Sequence, residues 1–196
     1  NIDAPITDYI PEFTMADGRY KDITVRMLMN HTSGIMGSTL RNEFLFGDND
    51  KDKYDYLLEN LKTQTLKADP GAYAAYCNDG FTLLEIIVER VSGMDFTSYI
   101  EENIAAPLNL TQTGTPLNAD ELGTLVDIYS NGLNYDFEYS MALGTGGMYA
   151  TASDVANFGA SFWTGNDILL SQESKDEMGT MWNEDAYENY MDTCGL

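Results

Sequence analysis

Basic residues are scarce in this sequence. Ten Lys and Arg stand against 32 Asp and Glu, giving a formal charge of -22 over 196 residues. A surface that acidic repels phosphate backbones and anionic lipid, so neither nucleic acid nor a membrane surface is expected as a partner. Histidine occurs once, at His31, and cysteine twice, at Cys77 and Cys194. Those residues make neither a zinc pattern nor a disulfide framework, and no metal or cofactor is expected. Cys77 is expected to fill a small buried slot rather than to bridge to Cys194. Long apolar runs are missing too. The richest, Leu83 to Val91, is interrupted by Glu85, Glu89 and Arg90, well short of the ~18 residues of a membrane span. No Gly-x-Ser-x-Gly elbow occurs, which argues against an α/β-hydrolase. Repeats and low-complexity segments are absent as well.

The apolar share is 43%, enough for one globular domain with a substantial core. Helical signals dominate. Thr24 reads as the N-cap of a short helix over 25–30, ended by Gly34 and Gly37. Residues 35–50 read as an irregular loop carrying Phe44 and Phe46. Tyr54, Leu57, Leu58 and Leu61 recur at helical spacing over 51–61. Asn78 or Asp79 is expected to cap a helix over 80–92, with Phe81, Leu84, Ile87, Val88 and Val91 as its main stripe, Leu83 and Ile86 widening it, and Gly93 as its left-handed stop. Asp95 caps a helix over 96–104 and Pro107 follows it. Near-alternation from Leu133 through Tyr135 and Phe137 to Tyr139 predicts a strand. Thr151 opens a helix running to about 164, closed by Gly165, and Ser171 opens another through about 182. The fold class expected is mainly α with a minor β part.

One acidic cluster invites a metal reading. Asp48, Asp50, Asp52 and Glu59 fall at positions 1, 3, 5 and 12 of a calcium-loop register. Lys53 takes the sixth position, where the loop turn needs Gly, and Lys51 adds a cation inside the cage. Acidic residues favouring a helix N-terminus explain the cluster better.

The informative block is Pro70-Gly71 followed by Tyr76-Cys77-Asn78, with His31-Thr32-Ser33-Gly34 some forty residues upstream. Residues 1–13 resemble the "LDxPVxxYxPEF" opening of class C β-lactamases and their relatives. Residues 23–34 resemble their "ITxRxLLxHTSG", and residues 70–81 their "PGxxxxYSNxGY". Glu89 to Gly93, Ala106 to Thr111 and Gly146 to Asp154 resemble later segments, in family order. The chain is therefore identified as a member of the serine β-lactamase and penicillin-binding protein superfamily.

The resemblance implies the helical domain and adjoining part of the β-lactamase/transpeptidase-like α+β fold. Residues 1–196 would be one such domain, with a helical region over about 14–125 and a return toward the α/β region over about 126–196. It implies Tyr76 as catalytic base or proton relay and Asn78 as the substrate-binding amide. A free phenol has a pKa of about 10, and only nearby ammonium groups make it a useful base near neutrality. The partners implied are small-molecule or peptide acyl substrates: a β-lactam, a D-Ala-D-Ala peptide or an ester. An extracellular, periplasmic or cell-envelope setting goes with them.

Two family motifs are missing. Three residues beyond Ser33, Ser38 and Ser92 stand Met36, Arg41 and Asp95, and no other serine is followed by Lys at that spacing. No Lys-Thr-Gly occurs either. The expectation is a fragment of a longer hydrolase, inactive by itself, whose bare helix faces over 80–92 and 152–164 drive homo-oligomers. The alternative is a non-catalytic peptide- or cell-wall-binding module on the same scaffold. His31 and Ser33, two residues apart in one turn, make poor partners for a triad. Both are expected, with Thr32, to hydrogen-bond backbone and hold the loop.

Overall fold

The computed structural model describes residues 1–37, 39, 44–46, 53–115, 126–135, 138–140, 142–182 and 184–186. Two compact units emerge, one of Asn1–Glu43, Asp50–Gly93 and Met181–Leu196, the other of Phe44–Asn49 and Met94–Thr180. Helices dominate both, and the described strands form three two-stranded pairs.

The first unit holds the main core. Ile6, Ile10, Phe13, Ile23, Leu28, Ile35, Leu57, Leu61, Leu83 and Ile86 are its fully buried large apolar side chains. Ile6 comes from a 3-10 turn at Ile6–Asp8, and Leu28, Leu57, Leu61, Leu83 and Ile86 come from the helices Val25–Met29, Lys53–Lys62 and Asn78–Ser92; Ile10, Phe13, Ile23 and Ile35 lie in the segments that connect such elements. Thr24 caps the first of these helices, its hydroxyl accepting from the Met27 N–H at 3.3 Å. Asp17 opens a 3-10 helix, Gly18–Asp22, with its carboxylate as the cap.

The Asn78–Ser92 helix departs from the sequence reading at two points. Its N-cap is Cys77, in extended conformation, and no side chain supplies the cap bond. Asn78 and Asp79 are already helical. Its buried face runs through Leu83, Ile86 and Ile87, while Phe81, Leu84 and Val88 are half-buried and Val91 is 67% exposed. The buried stripe is thus rotated from the expected one, because buried Asp79, Thr82 and Glu85 share that face. Polar residues with partners can occupy an inner face, and hydrophobicity alone does not show it. The expected bare face on this helix is accordingly not found. Gly93 takes the left-handed stop, φ 72°, with its N–H donating to the Glu89 carbonyl.

Glu85 explains how a carboxylate lies inside. Its side chain is fully buried and its Oε1 accepts from Lys53 Nζ and Tyr54 Oη, both at 2.7 Å. These bonds join the Lys53–Lys62 and Asn78–Ser92 helices. Burial, then the charge of Glu85, pushes the Tyr54 phenol above its ordinary range.

The second unit is assembled on polar ties. Asp95 caps Phe96–Ile100 through the Ser98 N–H at 3.0 Å, and the chain continues as a wider π-turn, Glu101–Ala105, before Pro107. Thr151 caps Ala152–Ala160 and Ser171 caps Gln172–Gly179, both shorter than expected. Buried Asp154 does not close a capping box; its Oδ2 accepts from Gln112 N–H at 2.8 Å and Thr113 Oγ1 at 2.9 Å. That tie sits beside the Thr113–Gly114 strand, which pairs with Tyr149–Ala150. Buried Lys175 donates to the Trp163 and Asn166 carbonyls and pairs with Asp167. The Ala152–Ala160 helix leaves Val155 and Phe158 exposed, with Phe162 and Trp163 following, the last 73% exposed.

The expected single strand over 133–139 is instead parts of two pairings. Leu133–Tyr135 pairs back on Ile128–Ser130 across Asn131-Gly132, whose φ values are 51° and 78°. Two consecutive left-handed residues are the hairpin turn that Asn-Gly favours. Glu138–Ser140 pairs antiparallel with Phe44–Phe46, so the expected loop over 35–50 contains a strand. Asp48, Asp50 and Asp52 of the calcium register, Phe137 and Cys194 lie outside the described residues.

Candidate active site

Two segments far apart in sequence are laced together. Lys67 N–H donates to the Gly34 carbonyl at 2.8 Å, Gly71 N–H to Thr32 at 2.8 Å, and Ala75 N–H to His31 at 2.9 Å. Further on, Cys77 N–H donates to His31 Nδ1 at 3.2 Å. The Cys77 thiol then points at the Gly37 carbonyl, 3.8 Å away. Beyond it the Asp79 carboxylate, fully buried, accepts from the Thr39 N–H at 3.0 and 3.1 Å. The His-Thr-Ser-Gly loop is therefore the bed on which Tyr76-Cys77-Asn78 lies.

Glycines allow the approach. Gly34 has φ 77°, and a Cβ there would stand 2.4 Å from the Ala68 carbonyl oxygen. Gly71, φ 83°, supplies the left-handed residue after Pro70. Upstream, Arg19 ties the segment down: its Nε donates to Asp17 at 2.9 and 3.0 Å, Nη2 to the Leu66 carbonyl at 3.3 Å, and Nη1 to Asp69.

Cys77, in extended conformation, turns its side chain inward. Cys77 is buried, and burial pushes its thiol up to about 11. Tyr76 is 68% exposed. Asn78 is half-buried in the first helical turn. Tyr76 and Asn78 thus flank buried Cys77 at the start of the Asn78–Ser92 helix.

His31 and Ser33 bond backbone as expected, whereas the Thr32 hydroxyl bonds a side chain. The His31 ring packs on Tyr76, centroids 4.7 Å apart, and on Phe81 at 4.9 Å. Thr32 Oγ1 donates to Asn30 Oδ1 at 2.7 Å, and Ser33 Oγ accepts from Ile35 N–H at 3.4 Å. Ser33 is buried, and its partner is backbone rather than His31, so no His31–Ser33 nucleophile pair is assembled. Burial first, then the charge of Lys67, holds the His31 pKa below its ordinary value. Sequence reasoning assigned His31 to the loop but missed its bond to Cys77. No local signal reports a contact across forty-six residues.

Among the described residues no group of three or more His, Cys, Asp or Glu side chains is placed to hold a metal. Glu59, the last ligand of the calcium register, pairs with Lys62. No described helix is long and apolar enough to cross a membrane.

The family model described as Beta-lactamase matches residues 1–195. D-alanyl-D-alanine-carboxypeptidase/endopeptidase AmpH of Escherichia coli (strain K12) is 29% identical over 164 residues, covering 81% of this chain and 41% of that protein. Penicillin-binding protein 4* of Bacillus subtilis (strain 168) is 30% identical over 125 residues, covering 60% of this chain and 26% of that protein. The chain thus spans less than half the length of these curated relatives. Among solved structures, a D-stereospecific amidohydrolase from Streptomyces sp. superposes with a TM-score of 0.72 at 25% identity, over 93% of this chain and 58% of that one.

Proposed function

This chain belongs to the Beta-lactamase family, with the helix-rich part of its α+β fold, and on that premise we propose that it is the Tyr-x-Asn-bearing part of an acyl-enzyme serine hydrolase. Tyr76 is the base or proton relay, and Asn78 holds the substrate's amide carbonyl. The observation that carries this reading is the exposure of Tyr76 beside half-buried Asn78 on the His31–Thr39 bed.

A phenol works as a base only where cations hold it ionised. The sequence offers no Ser-x-x-Lys, so the nucleophile and its lysine come from outside these 196 residues, and the chain alone is inactive. Residues 1–196 form one domain of this family, helical over about 14–125 and returning toward the α/β region over about 126–196. The substrate class is an amide or ester of a D-configured acyl group, or a β-lactam. The names of the D-alanyl-D-alanine carboxypeptidase and the D-stereospecific amidohydrolase support that choice. Such substrates place the protein in the cell envelope or outside the cell. Isolated copies associate through the apolar face of Val155, Phe158, Phe162 and Trp163; a monomer by light scattering at high concentration would exclude this.

The test is Tyr76→Phe in the complete reading frame, assayed on nitrocefin, p-nitrophenyl acetate and a D-Ala-D-Ala peptide. Losing the base lowers kcat by about 10²- to 10⁴-fold. An unchanged rate, or turnover by the 196-residue chain, overturns the assignment. Peptide binding by the complete protein without any turnover identifies a binding module instead.

A further inference from the structure

Building on the reading of Tyr76 as the working phenol, we propose that His31 is the positioning residue of this site, holding Tyr76 and Asn78 in place only while its imidazole is neutral. Three contacts converge on one ring. Nδ1 accepts the Cys77 N–H at 3.2 Å, and both Tyr76 and Phe81 pack against it, with interplanar angles of 39° and 34°. His31 reaches this pose from a left-handed backbone, φ 61°, which a residue with a Cβ adopts at a cost. Its carbonyl accepts from Ala75 N–H at 2.9 Å. Backbone and ring of one residue therefore grip the chain on both sides of Tyr76.

The grip depends on tautomer and charge. An acceptor at Nδ1 requires the proton on Nε2. Protonation turns Nδ1 into a donor facing the Cys77 donor, and the bond is lost. The amide released lies between the phenol and the carboxamide, so both lose their common anchor. The surroundings favour the neutral ring. From the 67–77 segment, the Lys67 ammonium opposes a second positive charge, and the Cys77 thiol stays protonated. Tyr76 packs as an aromatic face. From the Asn78–Ser92 helix, Phe81 packs on the ring, and the titratable group of the first turn, Asp79, has its carboxylate on the Thr39 N–H. The His31 loop itself brings only Thr32 and Ser33, which are neutral.

His31 is the sole histidine, so one imidazole spin system reports the outcome. Long-range proton–nitrogen NMR of the whole chain at neutral pH is expected to show a neutral ring protonated on Nε2. As pH falls, the Cys77 amide and the Tyr76 ring signals (assigned through Tyr76→Phe) shift with the midpoint of His31. A proton on Nδ1 at neutral pH, or a Tyr76 signal indifferent to the His31 titration, overturns the proposal. In His31→Phe the ring stays and the acceptor goes, so the Cys77 amide exchanges about tenfold faster; unchanged exchange in a folded variant overturns it. The wild-type titration decides the matter should that variant not fold. If these couplings hold but Tyr76→Phe leaves the complete enzyme's rate intact, the catalytic reading fails and the His31 anchor stands. Missing couplings with a damaging Tyr76→Phe mean the converse.

Discussion

Gly34→Ala measures how tightly the His-Thr-Ser-Gly loop is pressed on the segment leading to Tyr76. Two costs add there. The residue sits at φ 77°, and a side chain in the left-handed region costs about 1–2 kcal/mol. The new methyl would also lie 2.4 Å from the Ala68 carbonyl oxygen and 3.3 Å from its carbon. Backbone, not a flexible side-chain end, has to move, and overpacking of that kind costs about 1–3 kcal/mol more. The Lys67 N–H bond to the Gly34 carbonyl, 2.8 Å, stands next to the overlap and strains with it. Gly93→Ala is the matched control. Its φ is 72°, and nothing lies within 4 Å of a Cβ there, so it carries the backbone cost alone, about 1–2 kcal/mol. Urea unfolding followed by tyrosine fluorescence separates the two. With m near 2 kcal/mol per M for urea, the Gly34 variant unfolds about 0.5–1.5 M earlier than the Gly93 variant, at unchanged m. Equal midpoints would refute the close backbone approach and with it the bed under Tyr76.

Lys53→Met removes the ammonium that pairs with the fully buried Glu85 carboxylate and costs about 3–5 kcal/mol by urea unfolding. Adding Glu85→Leu recovers most of that loss, and a single variant costing under about 1 kcal/mol contradicts the buried pair. His31 makes stability depend on pH in a stated direction. Its folded pKa lies below the ordinary 6.5, through burial and then Lys67, so the unfolded chain binds more protons just below that value. Its contribution is full above pH 6.5 and falls as pH drops toward the folded pKa. His31→Gln removes that upper loss and leaves the later one from Glu12 and Asp95, whose pKa values Arg90 and the Ser98 backbone bond lower. Cys77, buried with its thiol pushed up to about 11, reacts with a thiol reagent at pH 8 at least about 100-fold more slowly in the folded Cys194→Ser chain than in urea. Equal rates would place the thiol at the surface.

Local signals carried far. Thr24, Asp95, Thr151 and Ser171 each cap the helix assigned to them, because a cap bond reaches only three residues along the chain. Gly93 stops its helix for a similarly local reason, the absence of a Cβ at a left-handed position. Reading failed where the partner lay elsewhere. The Asn78–Ser92 helix turns a different stripe inward because Glu85 meets Lys53 and Tyr54 from another helix. Phe44–Phe46 becomes a strand because Glu138–Ser140 comes to pair with it. The hairpin over 128–135 was within reach of sequence, since Asn131-Gly132 is its signal, and alternation beyond it masked the turn.

Residue order by itself determined the family, the helical character and the pair of side chains to watch, since those rest on motifs and on spacing along one strand of chain. Tertiary structure alone decided that Cys77, not Asn78, stands at the helix start, that Tyr76 faces outward while the thiol between them turns in, and that His31 accepts from the amide joining them. Each of those outcomes depends on a hydrogen bond or a buried contact closed across about forty residues. Closing such loops costs entropy that only the assembled core offsets, and no local pattern encodes which distant group will be waiting.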